Sequence, residues 1–529
     1  MWTTGWRDHI WETLNQSWDL IIVGGGITGA GILREAARHG LKALLLEKHD
    51  FAAGTSSRSS KLVHGGLRYL KNGQFRLTYE SVHQRERLMN QAIGLVTPLS
   101  FMVVNYTGDG TPGWAFGAGL VLYDLLATRW NHHAYTAAAL AGICPFLNLR
   151  GLEGGFIYLD AQTDDARLVL RVLREAVRAG GVALNYAAVE DVIRTTNGQV
   201  CGVAVVDRSP EGQGRSLELR AGAVVNATGA WADELRLKLG QARRLRPLRG
   251  SHLTFESHRL PLGQAVSFMH PADGRPVFAI PWEGVTIFGT TDADHGENVE
   301  IDPAISAAET DYLLEALRFA FPSLELSEQD VIGSWAGVRS VVNTGQANPS
   351  KESREHVLWQ ENGLVTVTGG KLTTFRLMAQ QALWALRSEL PGKLPASRED
   401  RMMDLVSAEI TPFHLPLPAW VRLQGRYGAD TPGLLAAAQP GELTPIERLP
   451  AQWAELRWAA RAEGVVHLDD LLLRRVRLGL TLPHGGLAYL GRVRAIVQAE
   501  LGWSDARWEA EEAAYRQLWQ RAYAPPIST

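Results

Sequence analysis

Residues 19–50 read DLIIVGGGITGAGILREAARHGLKALLLEKHD, and this stretch decides the fold. Residues 19–23 are a short apolar run, 27–38 have helical character, and 41–46 are a second apolar run. Strands apolar on both faces belong in a buried parallel sheet, so the segment reads as the βαβ unit of an α/β fold. Between the first strand and the helix lies Gly24-Gly25-Gly26-Ile27-Thr28-Gly29, a G-x-G-x-x-G turn in the context that a dinucleotide site needs. Gly24 makes the tight turn, Gly26 lets the backbone approach a pyrophosphate, and Gly29 permits close packing of helix on strand. The helix N-terminus turns free N–H groups and partial positive charge toward the phosphates. Glu47 ends the second strand, 18 residues after Gly29. A carboxylate there accepts hydrogen bonds from both ribose hydroxyls and repels a 2′-phosphate.

Two later turns choose between nicotinamide and flavin. Ala227-Thr228-Gly229 follows a strand about 200 residues on, and Gly369-Gly370-Lys371-Leu372-Thr373-Thr374 lies between another strand and a helix. A nicotinamide domain completes its site within one compact unit, whereas a flavin enzyme returns to its cofactor late in the chain. Its second helix N-terminus stabilises negative charge on the reduced ring. Together the turns favour non-covalent FAD.

Outward from these motifs, the spacing predicts a helix over 167–179, strands at 182–186, 203–206 and 224–226, and an antiparallel sheet over 250–345 inserted into the parallel one. Strand 364–368 leads into a helix running to about Leu390, residues 391–410 read as a linker, and 411–529 as a separate helical cap domain. The substrate-binding sheet is expected at about 70–160 and 240–345, within an FAD-binding domain spanning 1–390. The chain has 529 residues, 46% of them hydrophobic and 21% charged, which excludes disordered, collagen-like and coiled-coil classes. A net charge of −3 gives no signal for nucleic acid, so an anionic ligand needs a local cationic pocket. Two cysteines, Cys144 and Cys201, make no disulfide framework or zinc spacing and suit a reducing, cytoplasmic compartment. The N-terminus lacks the apolar core of a signal peptide. The longest apolar stretch, WAFGAGLVLY at 114–123, is about half the ~20 residues of a spanning helix. Trp2, Trp6, Ile10, Leu14 and Trp18 predict one helical stripe over 1–18, either packed on the following domain or touching a membrane interface.

GTSSRSSKLVHGGLRYL (54–70), TDDARLVL (163–170), NATGAWADEL (226–235), RGSHLTF (249–255), VFAIPWEGVTIFGTTD (277–292), WAGVR (335–339) and GGKLTTFR (369–376) together resemble the FAD-dependent, respiratory glycerol-3-phosphate dehydrogenases. HLDDLLLRRVRLGL (467–480) resembles the helical C-terminal domain of that family. The likeness implies a Rossmann-like, glutathione-reductase-type FAD domain joined to an antiparallel substrate domain and a helical C-terminal domain. It implies oxidation of sn-glycerol 3-phosphate to dihydroxyacetone phosphate, with electrons passing to a membrane quinone and the enzyme peripheral on the inner face of the cytoplasmic membrane. Further cofactor contacts are implied at Lys48, Thr55, Ser56, Ser57, Lys61, Leu62, His64, Gly66 and Val189. Ser340 departs from the family, which usually has proline there, and is expected to loosen a local turn.

A phosphate dianion needs several fixed cations, ideally arginine forks. Arg68, Arg339, Arg354 and Lys371 stand in family-matching stretches, with Tyr69 and Thr290 as hydrogen-bonding partners for the substrate. Oxidation of a secondary alcohol also needs a proton acceptor, for which His252 is the first candidate, with Arg339 lowering the alcohol's pKa. Which group takes the proton stays open at this level. Asp164 and Asp165 read as an N-cap and a first-turn acid rather than as an acid–base pair. An oxygen-dependent glycerol-3-phosphate oxidase carries the same motifs. An amine or amino-acid oxidase and a non-catalytic flavin-fold binding protein remain as weaker alternatives, and a homodimer is left open.

Overall fold

The computed structural model describes the whole chain except residues 1, 4, 67–74, 111–112, 128–130, 213, 297, 301, 347–351, 353–354, 393–400, 406–414 and 527–529. Arg68, Tyr69, Arg354 and most of the expected linker lie outside the described residues.

Among the described residues, the first sheet has eight strands. Its parallel heart runs in the order Leu364–Thr368, Ser216–Asn226, Trp18–Val23, Ala43–Leu46 and Val182–Leu184, all but the long second one short and wholly or largely buried. Helix Ile27–Arg38 packs on this sheet, as the opening motif predicts. Register aligns the carboxyl ends: Val23 pairs with Leu46 and Asn226, and Asn226 with Thr366. The turns that follow those strands therefore open on one edge, the edge where α/β sheets bind ligands.

The second sheet has ten strands among the described residues, and those over 245–342 fall in the chain between Ser216–Asn226 and Leu364–Thr368 of the first. Its pairs are antiparallel except where Ala265–Met269 runs parallel to Val96–Tyr106. Strand Leu245–Glu256 lies between Val331–Val342 on one side and Val285–Gly289 on the other. Ser340 sits within strand Val331–Val342, paired with Pro247, and its hydroxyl accepts a bond from Thr368 Oγ1 at 2.9 Å. There is no turn at that position to loosen.

Two other expectations change, and of the two readings of the N-terminal stripe the packed one holds. The N-terminal helix covers only Trp6–Thr13, and Trp18 begins a strand. The stripe packs on the domain that follows it: Trp2 stacks on Phe51 at 5.0 Å, and Leu14 and Trp18 are buried. The helix after the last glycine turn, Phe375–Ala385, stops short of Leu390.

Asp164 caps helix Asp165–Arg178 through the Arg167 N–H, as read from sequence. That helix also ties the C-terminal helices to the sheet. Arg167 pairs with Glu463, Arg174 with Asp430, Arg426 with Asp164 and Arg477 with Asp165, all through buried side chains. Asp50 receives both Arg474 and Arg475. Nearby cations outweigh burial and hold its carboxyl down at about 2.

Candidate active site

A cavity of about 1710 Å³ runs from the glycine turn of the first sheet to the face of the second. It exceeds the roughly 300–1000 Å³ of an ordinary small-molecule pocket, as a dinucleotide plus a substrate would require. Gly24, Gly26, Ile27, Thr28, Glu47 and Lys48 line one end. Gly24 has φ 111°, and a side chain on it would meet the Ala227 carbonyl at 2.5 Å. Gly29 is not on the wall, but a Cβ there would lie 1.9 Å from the Gly24 carbonyl oxygen, so its bareness sets the helix against the turn. Glu47 accepts the Gly25 N–H at 2.6 Å and the His49 N–H at 2.8 Å. Each oxygen keeps a further lone pair for a ribose hydroxyl.

The wall continues through Thr55, Ser56, Leu62, His64 and Gly66, through Val189 and Ala227-Thr228-Gly229, and through Gly370, Lys371, Leu372 and Thr373. Ser56 Oγ accepts the Ile27 N–H at 3.0 Å and steadies the helix start. Two expected contacts are placed elsewhere. Ser57 is buried with its hydroxyl turned back to Gly54. The Lys61 side chain is fully buried against Asp165, 2.9 Å away, beneath the Trp335 ring. Burial, then the Arg477 charge, brings its ammonium down to about 7, against the pull of Asp165.

His252, Thr290 and Arg339 come together at the other end. They lie on neighbouring parts of the second sheet, where His252 pairs with Gly289 and with Trp335. The imidazole stacks on Trp335 at 5.0 Å and 14°. Its Nε2 is 2.8 Å from Ser60 Oγ, while Nδ1 has no hydrogen-bond partner among the described residues. Burial, then the cations Lys61 and Arg339, holds this histidine well below its ordinary range. The shift favours the uncharged imidazole. Arg339 Nη2 donates to Thr290 Oγ1 at 3.1 Å, and Nη1 pairs with Asp292 at 3.1 Å.

Sequence reasoning missed Ser60, Asp292 and Arg275, which share this end of the cavity or its immediate support. Ser60 stands in the quoted SSRSSK run, where nothing separates it from its neighbouring serines except the strand register that brings His252 alongside. Arg275 precedes a predicted strand in a turn with no motif.

The family described as FAD dependent oxidoreductase matches residues 19–381. The chain belongs to the FAD-dependent oxidoreductase family. A second family, described as the C-terminal domain of alpha-glycerophosphate oxidase, matches residues 376–508. The aerobic glycerol-3-phosphate dehydrogenase of Staphylococcus aureus (strain USA300) is 33% identical over 497 residues, covering 89% of this chain and 88% of the relative. The X-ray structure of the glycerol-3-phosphate dehydrogenase from Bacillus halodurans complexed with FAD has a TM-score of 0.80 and 28% identity, covering 100% of both chains. The L-alpha-glycerophosphate oxidase from Mycoplasma pneumoniae with FAD bound has a TM-score of 0.57 at 17% identity, covering 74% of this chain and 99% of that one. At that identity the likeness is one of fold. Within the FAD-dependent oxidoreductases, this flavoenzyme groups with the glycerol-3-phosphate dehydrogenases and oxidases.

The residues present fit FAD. The glycine turn leaves a cradle that side chains would fill, the N-cap position of the helix is itself a glycine, Gly26, and Glu47 stands at the next strand end. The second helix start, at Leu372–Thr374, faces the same cavity.

Proposed function

We propose that this flavoenzyme oxidises sn-glycerol 3-phosphate at C2 to dihydroxyacetone phosphate and passes the electrons to a membrane quinone. The observation that carries the reading is the meeting of a buried histidine with an arginine in the same cavity as the dinucleotide turn. Gly24, Gly26, Glu47 and the turns at Thr228 and Leu372 would hold FAD, which would supply the hydride-accepting chemistry the oxidation needs. Arg339 and Lys371, with Arg68 and Arg354, hold the phosphate; Tyr69 and Thr290 orient the substrate. The C2 hydroxyl proton goes to His252 Nε2, the nitrogen that Ser60 Oγ contacts. Arg339 lowers the pKa of the alcohol and stabilises the developing alkoxide.

A quinone acceptor is supported by helix Gly113–Ala127. Its inner face brings Phe116 and Leu122 to the cavity, and its outer face exposes Trp114 at 79% and Leu125 at 64%. Its acid, Asp124, is turned inward to His132 Nδ1 at 2.6 Å. Such a surface suits a peripheral seat on a lipid bilayer. Among the described residues, no helix is long and apolar enough to cross a membrane. The second reading is an oxygen-dependent oxidase, favoured by the match to the alpha-glycerophosphate oxidase C-terminal domain.

The test is anaerobic. Glycerol 3-phosphate is expected to bleach the flavin, while glycerol and glycerol 2-phosphate leave it yellow. Bleaching by glycerol at equal concentration would remove the phosphate reading. One peroxide released per substrate under air, with no quinone reduction, would replace the dehydrogenase with the oxidase.

A further inference from the structure

Near Arg339 the cavity wall also carries Arg275. Arg275 lies in the turn joining Ala265–Met269 to Pro276–Trp282 and reaches the cavity wall, with 27% of its side chain exposed. Phe278 pairs with Gly289, so three residues back along one strand and three forward along the other set Arg275 opposite Asp292. The Asp292 side chain is fully buried between two guanidiniums. One oxygen is 3.1 Å from Arg339 Nη1 and the other 3.6 Å from Arg275 Nη2. One carboxylate shared by two guanidiniums leaves the trio net positive.

The turn that carries Arg275 is held firmly. The His270 N–H donates to the Arg275 carbonyl at 2.7 Å, and the Arg275 N–H donates to Asp273 at 3.1 Å. The His270 ring stacks on Tyr312 of helix Ala307–Ala320 at 3.6 Å and 8°. The Tyr312 hydroxyl sits 3.0 and 3.1 Å from the two Asp273 oxygens. A guanidinium on such a turn is positioned before any ligand arrives, which lowers the entropy cost of binding.

We infer that Arg275 is a further arm of the phosphate clamp and that, spaced from Arg339 by the shared Asp292, it selects a phosphate dianion over a monoanion. One arginine fork satisfies the two oxygens of a carboxylate. A phosphate presents three terminal oxygens and two charges, and a second guanidinium meets the remainder. The inference rests on the phosphate reading of this cavity.

The experiment uses the FAD-loaded enzyme and its R275Q and R275M variants. Affinity for inorganic phosphate and for formate is measured by calorimetry, and KM and kcat for glycerol 3-phosphate with a dye acceptor. Both variants are expected to bind phosphate roughly ten- to hundredfold more weakly and to raise KM in proportion, the loss of one charge-assisted contact. Formate affinity and FAD content stay at wild-type values, and kcat changes by no more than about twofold. Wild-type phosphate affinity in either variant that carries FAD overturns the inference. Loss of FAD from both variants overturns it too, by making Arg275 a structural residue. If the unaltered enzyme neither binds phosphate nor is bleached by glycerol 3-phosphate, the proposed function fails first, and that result is distinguishable from wild-type behaviour in the variants.

Discussion

Gly250 governs the position of Arg339. A Cβ built on it would lie 2.2 Å from Arg339 Nη2 and 2.7 Å from Thr290 Oγ1. The bare α-carbon is the corridor along which the guanidinium crosses strand Leu245–Glu256 to reach Thr290 and Asp292. Gly250→Ala is expected to push that flexible end aside without unfolding the strand. FAD content should stay constant while KM for glycerol 3-phosphate rises about tenfold, the loss of one charge-assisted contact. An unchanged KM would show that Arg339 does not need this path. At His252 the neighbouring strand plays a similar part, since a Cβ on Gly289 would come within 2.6 Å of the ring. His252→Ala is expected to cut kcat by on the order of 10²–10⁴. A variant with near-normal turnover would move the proton to another group. His252, Thr290 and Arg339 were legible because each sits in a long ordered motif. Ser60, Asp292 and Arg275 were not, because their importance comes from register between strands about 15 to 190 residues apart, which no local pattern encodes.

At the scale of elements, apolar patterning was a good guide to existence and a poor one to partners. The opening βαβ unit is legible because strand, glycine turn and helix must follow one another in fixed order. The tryptophan spacing near the N-terminus suggested a longer helix, yet the period of four continued by coincidence into a strand whose own face is buried. Helix Gly113–Ala127 is the reverse case, an apolar run that the fold leaves exposed. If that face meets lipid, Trp114→Ser combined with Leu125→Ser should abolish co-sedimentation with liposomes and lower quinone reduction. Anaerobic bleaching by glycerol 3-phosphate should be unaffected, since neither side chain lines the cavity. Substitutions at such exposed positions ordinarily change stability by no more than about 0.5 kcal/mol. Full liposome binding by the double variant would exclude this helix as the contact.

At the scale of the molecule, the C-terminal helices are fastened to the flavin-binding part by buried ion pairs that sequence could not match up, because each joins residues hundreds of positions apart. Removing one partner from such a pair leaves a buried charge unmatched. The same region contains a group whose titration reports on the fastening. His467 Nδ1 is 2.9 Å from Glu511 of helix Asp505–Ala522, and the Leu468 N–H donates to the same carboxylate at 2.9 Å. Arg507 also reaches Glu511, at 2.8 Å, while Asp469 and Asp470 face the imidazole from its own segment. Burial alone would lower the pKa of His467, but the Glu511 bond and the two aspartates outweigh it and raise it to about 8. A histidine whose folded pKa lies above its unfolded value of 6.5 stabilises fully below pH 6.5 and loses that contribution as pH rises through about 8. The difference corresponds to about 2 kcal/mol. Asp470, raised to about 6 by burial and by Asp50, titrates in the same region but is present in both proteins compared and largely cancels. The denaturation midpoint of the unaltered enzyme should therefore fall more steeply between pH 6 and pH 9 than that of His467→Gln, with the two curves converging at the alkaline end. Parallel curves would mean that the His467–Glu511 contact carries no net charge-dependent stability, and that the helix is held by packing and the buried arginines alone.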